Sequence, residues 1–144
     1  MDLDELQVYQ LSMEMAEKVW NIVLKWDFFA KDTIGKQLVK SADSVAANIS
    51  EGFGRFFYKE AKQFGYYSRG SLFETKTWLT KANNRSLLVN EDYEILSKEI
   101  KIIGIKLNNY INSIGKQSER SQVKDENFQY GNYLLSQDEI NDLP

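Results

Sequence analysis

No proline interrupts this chain before its last residue, Pro144. A proline inside a helix removes a backbone donor and clashes with the preceding turn, so the whole length ahead of it is open to long helices. The apolar residues recur at helical spacing. Leu6, Tyr9, Met13, Ala16, Trp20 and Val23 follow one another at steps of three and four, which predicts a helix from about Asp4 or Glu5 to Trp26. Phe28-Phe29-Ala30 breaks that period, and Asp32 is placed to cap a second helix with apolar positions Ile34, Leu38, Ala42, Val45, Ile49 and Phe53. A third helix is predicted from Tyr58 to about Asn83-Asn84-Arg85, with Ala61, Phe64, Ser68, Ser71, Leu72, Thr75, Leu79 and Ala82 inward. Asn90, as a capping side chain, and Glu91 and Asp92, set against the macrodipole, open a fourth. Its Tyr93, Leu96, Ile100, Ile103, Leu107, Tyr110 and Ile114 form a nearly strict heptad seam.

Nothing alternates with period two, so the expected fold class is all-α. Four helices joined by short connections pack most simply as an antiparallel up-down-up-down four-helix bundle. With 144 residues and 42% apolar side chains, one core is expected, over residues 1–117. Residues 118–144 change to Gln, Ser, Asn, Asp and Glu and read as a mobile polar and acidic tail. Phe128, Tyr130, Tyr133, Leu134, Leu135 and Ile140 have no use in a purely solvating segment, which suggests that the tail docks on something.

Composition removes several function classes. The chain has no cysteine and no histidine, hence no disulfide, no thiolate or imidazole metal ligand, and no usual general base. No cofactor and no metal are expected. The start, Met1-Asp2-Leu3-Asp4-Glu5, is acidic where a secretory signal is basic, and no apolar run is long enough for a membrane span, so a cytoplasmic protein with no membrane partner is expected. The net charge of −3 hides a division. Residues 31–85 hold ten basic and five acidic residues, between ends with a net excess of acid.

Within that basic island lie Asn48-Ile49-Ser50-Glu51-Gly52-Phe53-Gly54-Arg55 and Gly70-Ser71-Leu72-Phe73-Glu74, preceded by Val8-Tyr9-Gln10 and Ser41-Ala42-Asp43-Ser44-Val45-Ala46-Ala47. Over about residues 6–115 the sequence resembles the four-helix-bundle family encoded in intervening sequences of bacterial 23S ribosomal RNA genes. The resemblance implies a four-helix protomer that assembles into a homopentameric ring and has no established catalytic activity. The same fold is similar to the accessory variability protein of diversity-generating retroelements, a five-fold barrel that binds nucleic acid and a reverse transcriptase. This sequence departs from the family pattern at Phe57-Tyr58, Gly65 and Ser68.

The motif residues Asn48, Glu51, Gly52, Gly54, Arg55, Gly70, Ser71 and Glu74 read first as structural. Gly70-Ser71 in mid-helix costs propensity, which suggests a facing helix held close. Glu51 and Arg55 are four apart and can pair, with Glu74 within reach as a register-fixing ion cluster. An acid/base or metal site on Glu51 and Glu74 is the chemical alternative, but a di-metal bundle needs more carboxylates and a histidine. No catalytic residue is therefore assigned, and the chain reads as a non-enzyme.

At 100° per residue Lys62, Tyr66, Arg69, Phe73 and Lys76 share one face of the third helix, roughly opposite Phe64, Ser71, Thr75 and Ala82. Basic groups neutralise phosphates and aromatic rings stack on bases, and Lys36, Lys40 and Lys59 extend the patch. Such a face is either solvated, a subunit interface, or a contact for RNA, DNA or a polymerase. On the fourth helix Ile95, Ile102 and Ile105 lie off the seam and either widen the core stripe or form an oligomer interface. The expected function is a homo-oligomeric scaffold that binds nucleic acid or a nucleic-acid-processing partner such as a reverse transcriptase. The alternative is a protein interaction module without nucleic-acid binding.

Overall fold

The computed structural model describes residues 1–116, and its ordered elements are all helical. A 3-10 turn at Leu3–Glu5 leads into α1 (Gln7–Val23). A helical turn at Phe28–Ala30 passes through a π-helical turn, Lys31–Gly35, into α2 (Lys36–Phe53). α3 spans Tyr58–Asn84 and α4 spans Asn90–Ser113. Each helix packs on two others: α1 on α2, α2 on α3, α3 on α4 and α4 on α1. The result is a four-helix bundle around one core, from Leu6 and Val8 through Leu38, Ile49 and Leu79 to Leu107 and Ile111. The proposed tail, 118–144, lies outside the described residues.

The α4 seam is buried from Leu96 to Ile114, with Tyr93 packed at its edge. α1 is rotated from its expected phase. Its buried residues are Val8, Ser12, Met15, Ala16, Val19 and Val23, while Met13 and Trp20 are exposed. Ser12 tolerates burial because its hydroxyl donates to the Val8 carbonyl at 2.7 Å. α1 also ends earlier than expected, at Val23.

The cap of the second helix is Asp27, not Asp32. Asp27 Oδ1 accepts from the Ala30 amide at 2.9 Å, whereas Asp32 lies inside the π turn and pairs with Lys36. That turn ends on Gly35, where a Cβ would stand 2.9 Å from Val23 Cγ1, so the end of α1 and the start of α2 approach closely. Asn90 is the first helical residue of α4 rather than its cap, and Val89 holds the cap position without a side-chain bond.

Small and hydroxylated residues hold α2 against α3. Ser68 Oγ donates across to the Val45 carbonyl at 2.7 Å, and Thr75 Oγ1 lies 3.1 Å from Ser41 Oγ, all four residues being buried. Ser68 thus satisfies itself where a larger side chain would force the two helices apart. Gly65 does the same for α3 and α4, since a Cβ there would stand 2.6 Å from Ile111 Cγ1.

Candidate nucleic-acid interface

The burial of Gly65, Ser68, Leu72, Thr75, Leu79 and Ala82 sets the phase of α3. Phe64 and Ser71 are only half-buried. The basic and aromatic residues therefore lie about 110° from the core centre, beside it rather than opposite it. They face the side of the helix that borders α4. Lys62 and Arg69 are half-buried there, and Tyr66, Phe73 and Lys76 are exposed, Phe73 by 64%.

Arg69 anchors this strip. Its Nη1 donates to Asn108 Oδ1 on α4 at 3.1 Å, and its guanidinium lies 5.0 Å from the centre of the Tyr66 ring. An arginine held over an aromatic ring loses less side-chain freedom on meeting a phosphate, and keeps further N–H donors for it. Lys59, in the first turn of α3, is exposed. Lys36 and Lys40 are elsewhere: both line a groove between α1 and α2 with Trp20 and Leu24. The strip itself is thus built on α3 and the edge of α4.

The motif residues separate in the same way. Arg55 pairs with Glu51 at 2.6 Å and covers the Phe64 ring at 4.8 Å. The pair is solvent-exposed, which makes it a weak contributor to stability. Glu74 does not join it. It stands sixteen residues beyond Tyr58, about 24 Å along α3, and accepts from Trp78 Nε1 at 3.1 Å. No Glu51–Glu74 site is assembled. Asn48 is turned into its own helix, Nδ2 donating to the Ser44 carbonyl at 2.8 Å.

The glycines also divide. Gly52 is buried where a Cβ would stand 2.9 Å from both the Ala61 carbonyl and Phe64 Cβ, so it carries the close α2–α3 contact. Gly54 has looser surroundings, with its nearest neighbours at 3.7 Å and beyond. Gly70 faces outward with nothing within 4 Å of a built Cβ, so no facing helix among the described residues sits close there. Ser71, half-buried, accepts from Thr75 Oγ1 through its carbonyl.

Ile95, Ile102 and Ile105 are 42%, 47% and 42% exposed, so they do not widen the protomer's core. Two further exposed clusters escaped sequence reasoning. Phe56 and Phe57 stand edge to face at the α2–α3 connection, and Trp20 and Leu24 flank the α1–α2 groove. The expected α1 stripe includes Trp20, and the observed phase of the helix leaves it outside the core.

Burial raises the Tyr110 phenol, which is fixed in the core. Asp43 on α2 is raised above the ordinary carboxylate value, first by partial desolvation and then by the charge of Glu17 on α1. No helix among the described residues is long and apolar enough to cross a membrane, and none of their acidic side chains cluster in threes as a metal site.

The fold and its small-residue helix contacts define a class of four-helix proteins. This chain belongs to the 23S rRNA-intervening sequence protein family, whose model matches residues 4–109. A crystal structure of a protein of unknown function from the S23 ribosomal protein family of Bacteroides thetaiotaomicron is similar in fold. It superposes with a TM-score of 0.65 at 22% identity, over 72% of this chain and 97% of that one. No curated protein matches.

Proposed function

We propose that this chain is a cytoplasmic, non-enzymatic homo-oligomeric scaffold that binds RNA or DNA, or an enzyme acting on them such as a reverse transcriptase, through α3. The protomer's helices run alternately up and down, and five protomers close a ring. The alternating direction is supported by the α2–α3 pairs, since Gly52 meets Ala61, Val45 meets Ser68 and Ser41 meets Thr75. The ring rests on what the family resemblance implies, and the exposed isoleucines of α4 support a contact between copies.

The observation that carries the binding reading is the strip of Lys62, Tyr66, Arg69, Phe73 and Lys76, with Arg69 held between Tyr66 and Asn108. Repeated around a ring, it forms a basic and aromatic belt whose avidity exceeds that of any one site. Fluorescence anisotropy against structured RNA, duplex DNA and single strands tests it. Affinity falls steeply with added salt, because counterions are released for each phosphate neutralised. Lys62→Glu, Arg69→Glu and Lys76→Glu together remove binding at unchanged oligomer mass, and Tyr66→Ala with Phe73→Ala weakens single strands most. Absence of binding at low salt, or indifference to the triple reversal, leaves the protein interaction module. The exposure of Phe73 beside the open surface at Gly70 favours that second reading.

A further inference from the structure

The groove between α1 and α2 measures about 460 Å³. Its walls are apolar, formed by Trp20, Val23, Leu24 and Val39, and the π turn and Gly35 draw the two backbones together at one end. Its rim is basic, with Lys31, Lys36 and Lys40. Trp20 and Leu24 remain 48% and 51% exposed there, and removing such apolar surface from water is favourable. Asp32 pairs with Lys36 at 2.6 Å, but among the described residues neither Lys31 nor Lys40 meets a carboxylate. The matching occupant is apolar in its middle and acidic on both sides.

This chain contains such a sequence. Residues 125–144 hold five acidic residues and no basic one. Tyr130, Tyr133, Leu134 and Leu135 stand between the acidic pairs Asp125-Glu126 and Asp138-Glu139. Reach is sufficient. α4 closes beside the start of α3, where Gly115 adjoins Tyr58, and the groove lies toward the other end of α2. That requires about 27 Å along α2 and about 10 Å around a helix. The seventeen residue-to-residue steps from Lys116 to Tyr133 extend to about 55 Å.

We propose that the acidic, apolar segment 125–144 docks in the α1–α2 groove of its own chain, with Tyr133, Leu134 and Leu135 against Trp20 and Leu24 and the flanking carboxylates toward Lys31 and Lys40. The docked segment covers Lys36 and Lys40 and leaves the α3 strip free. Its fate is therefore separate from that of the nucleic-acid reading.

The absence of cysteine lets one engineered pair report alone. Full-length chains carrying Leu24→Cys with Asn132→Cys, or Gln63→Cys with Asn132→Cys, are oxidised mildly and followed by denaturing, non-reducing mass analysis. Positions 24 and 63 are both exposed, and Gln63 lies near the start of α3, beside which the chain leaves α4, so an undirected tail favours the second pair. The expected result is a within-chain disulfide forming roughly tenfold or more faster in the first pair, from the higher effective concentration of a docked segment. Lys31→Glu with Lys40→Glu lowers that rate to that of the Gln63 pair. Val39→Cys with Asn132→Cys repeats the measurement from the other wall, with circular dichroism confirming that every variant is folded. Equal rates at the groove and at Gln63, a product joining two chains, or a rate unmoved by the charge reversal overturns the proposal.

Discussion

Gly65 and Gly70 are five residues apart on α3 and meet opposite surroundings. A Cβ at Gly65 collides with Ile111 Cγ1 at 2.6 Å, whereas at Gly70 it meets nothing within 4 Å. Gly65→Ala is therefore expected to destabilise by about 1–3 kcal/mol through overpacking, and Gly70→Ala to stabilise by about 0.5–1 kcal/mol through helix propensity. Urea unfolding of the two variants beside the parent measures both signs. Asp43 gives a second residue-level expectation. A carboxyl whose folded-state pKa is raised binds its proton more tightly folded than unfolded, so its contribution to stability falls as pH rises from the ordinary carboxylate range through the raised value. Asp43→Asn removes that penalty. Thermal melts should show the variant more stable than the parent at pH 7, with the difference closing at acid pH where Asp43 is protonated in both states. The effect is small because Asp43 is exposed.

At the scale of the element, the helix that runs from Phe28 through the π turn to Phe53 depends at its start on Asp27. Asp27→Ala leaves the Ala30 amide without its side-chain acceptor and should cost about 1 kcal/mol, read as a lower denaturation midpoint at unchanged slope. The sequence pattern anticipated the four helices because each has its own apolar period, and α4 most fully because its seam is a nearly strict heptad, with Ile95, Ile102 and Ile105 lying off it. α1 carries two overlapping stripes. Leu6, Ala16 and Val23 belong to the core, whereas Met13 and Trp20 lie outside it, and buried Ser12 gives no apolar signal. The π turn left no signature that residue type alone could reveal. In the candidate site, helical phase placed Lys62, Tyr66, Arg69, Phe73 and Lys76 together, since that needs only one helix. The Arg69–Asn108 bond, the remoteness of Glu74 from Arg55 and the position of Lys36 and Lys40 in another groove depend on which helices are neighbours. Spacing within a helix carries no such information.

At the scale of the molecule, α4 presents apolar surface that the described residues of its own protomer do not bury. Ile95, Ile102 and Ile105 are each more than two-fifths exposed, and a monomer gains nothing by holding three isoleucines in water. Ile95 and Ile102 are seven apart and share a line along the helix, on the side where Lys18 of α1 meets Glu99. A contact between copies at this line buries the two isoleucines beside an ion pair that already joins α1 to α4. If five copies associate through it, size exclusion with light scattering gives about five times the protomer mass of 16.8 kDa. Ile95→Lys with Ile102→Lys should return the protomer mass at unchanged helicity, because neither side chain belongs to the core. A parent chain that runs as a monomer at micromolar concentration would refute the ring. A variant that keeps the parent mass would move the interface away from α4, toward the exposed Phe73 on α3 or Phe56 and Phe57 at the α2–α3 connection.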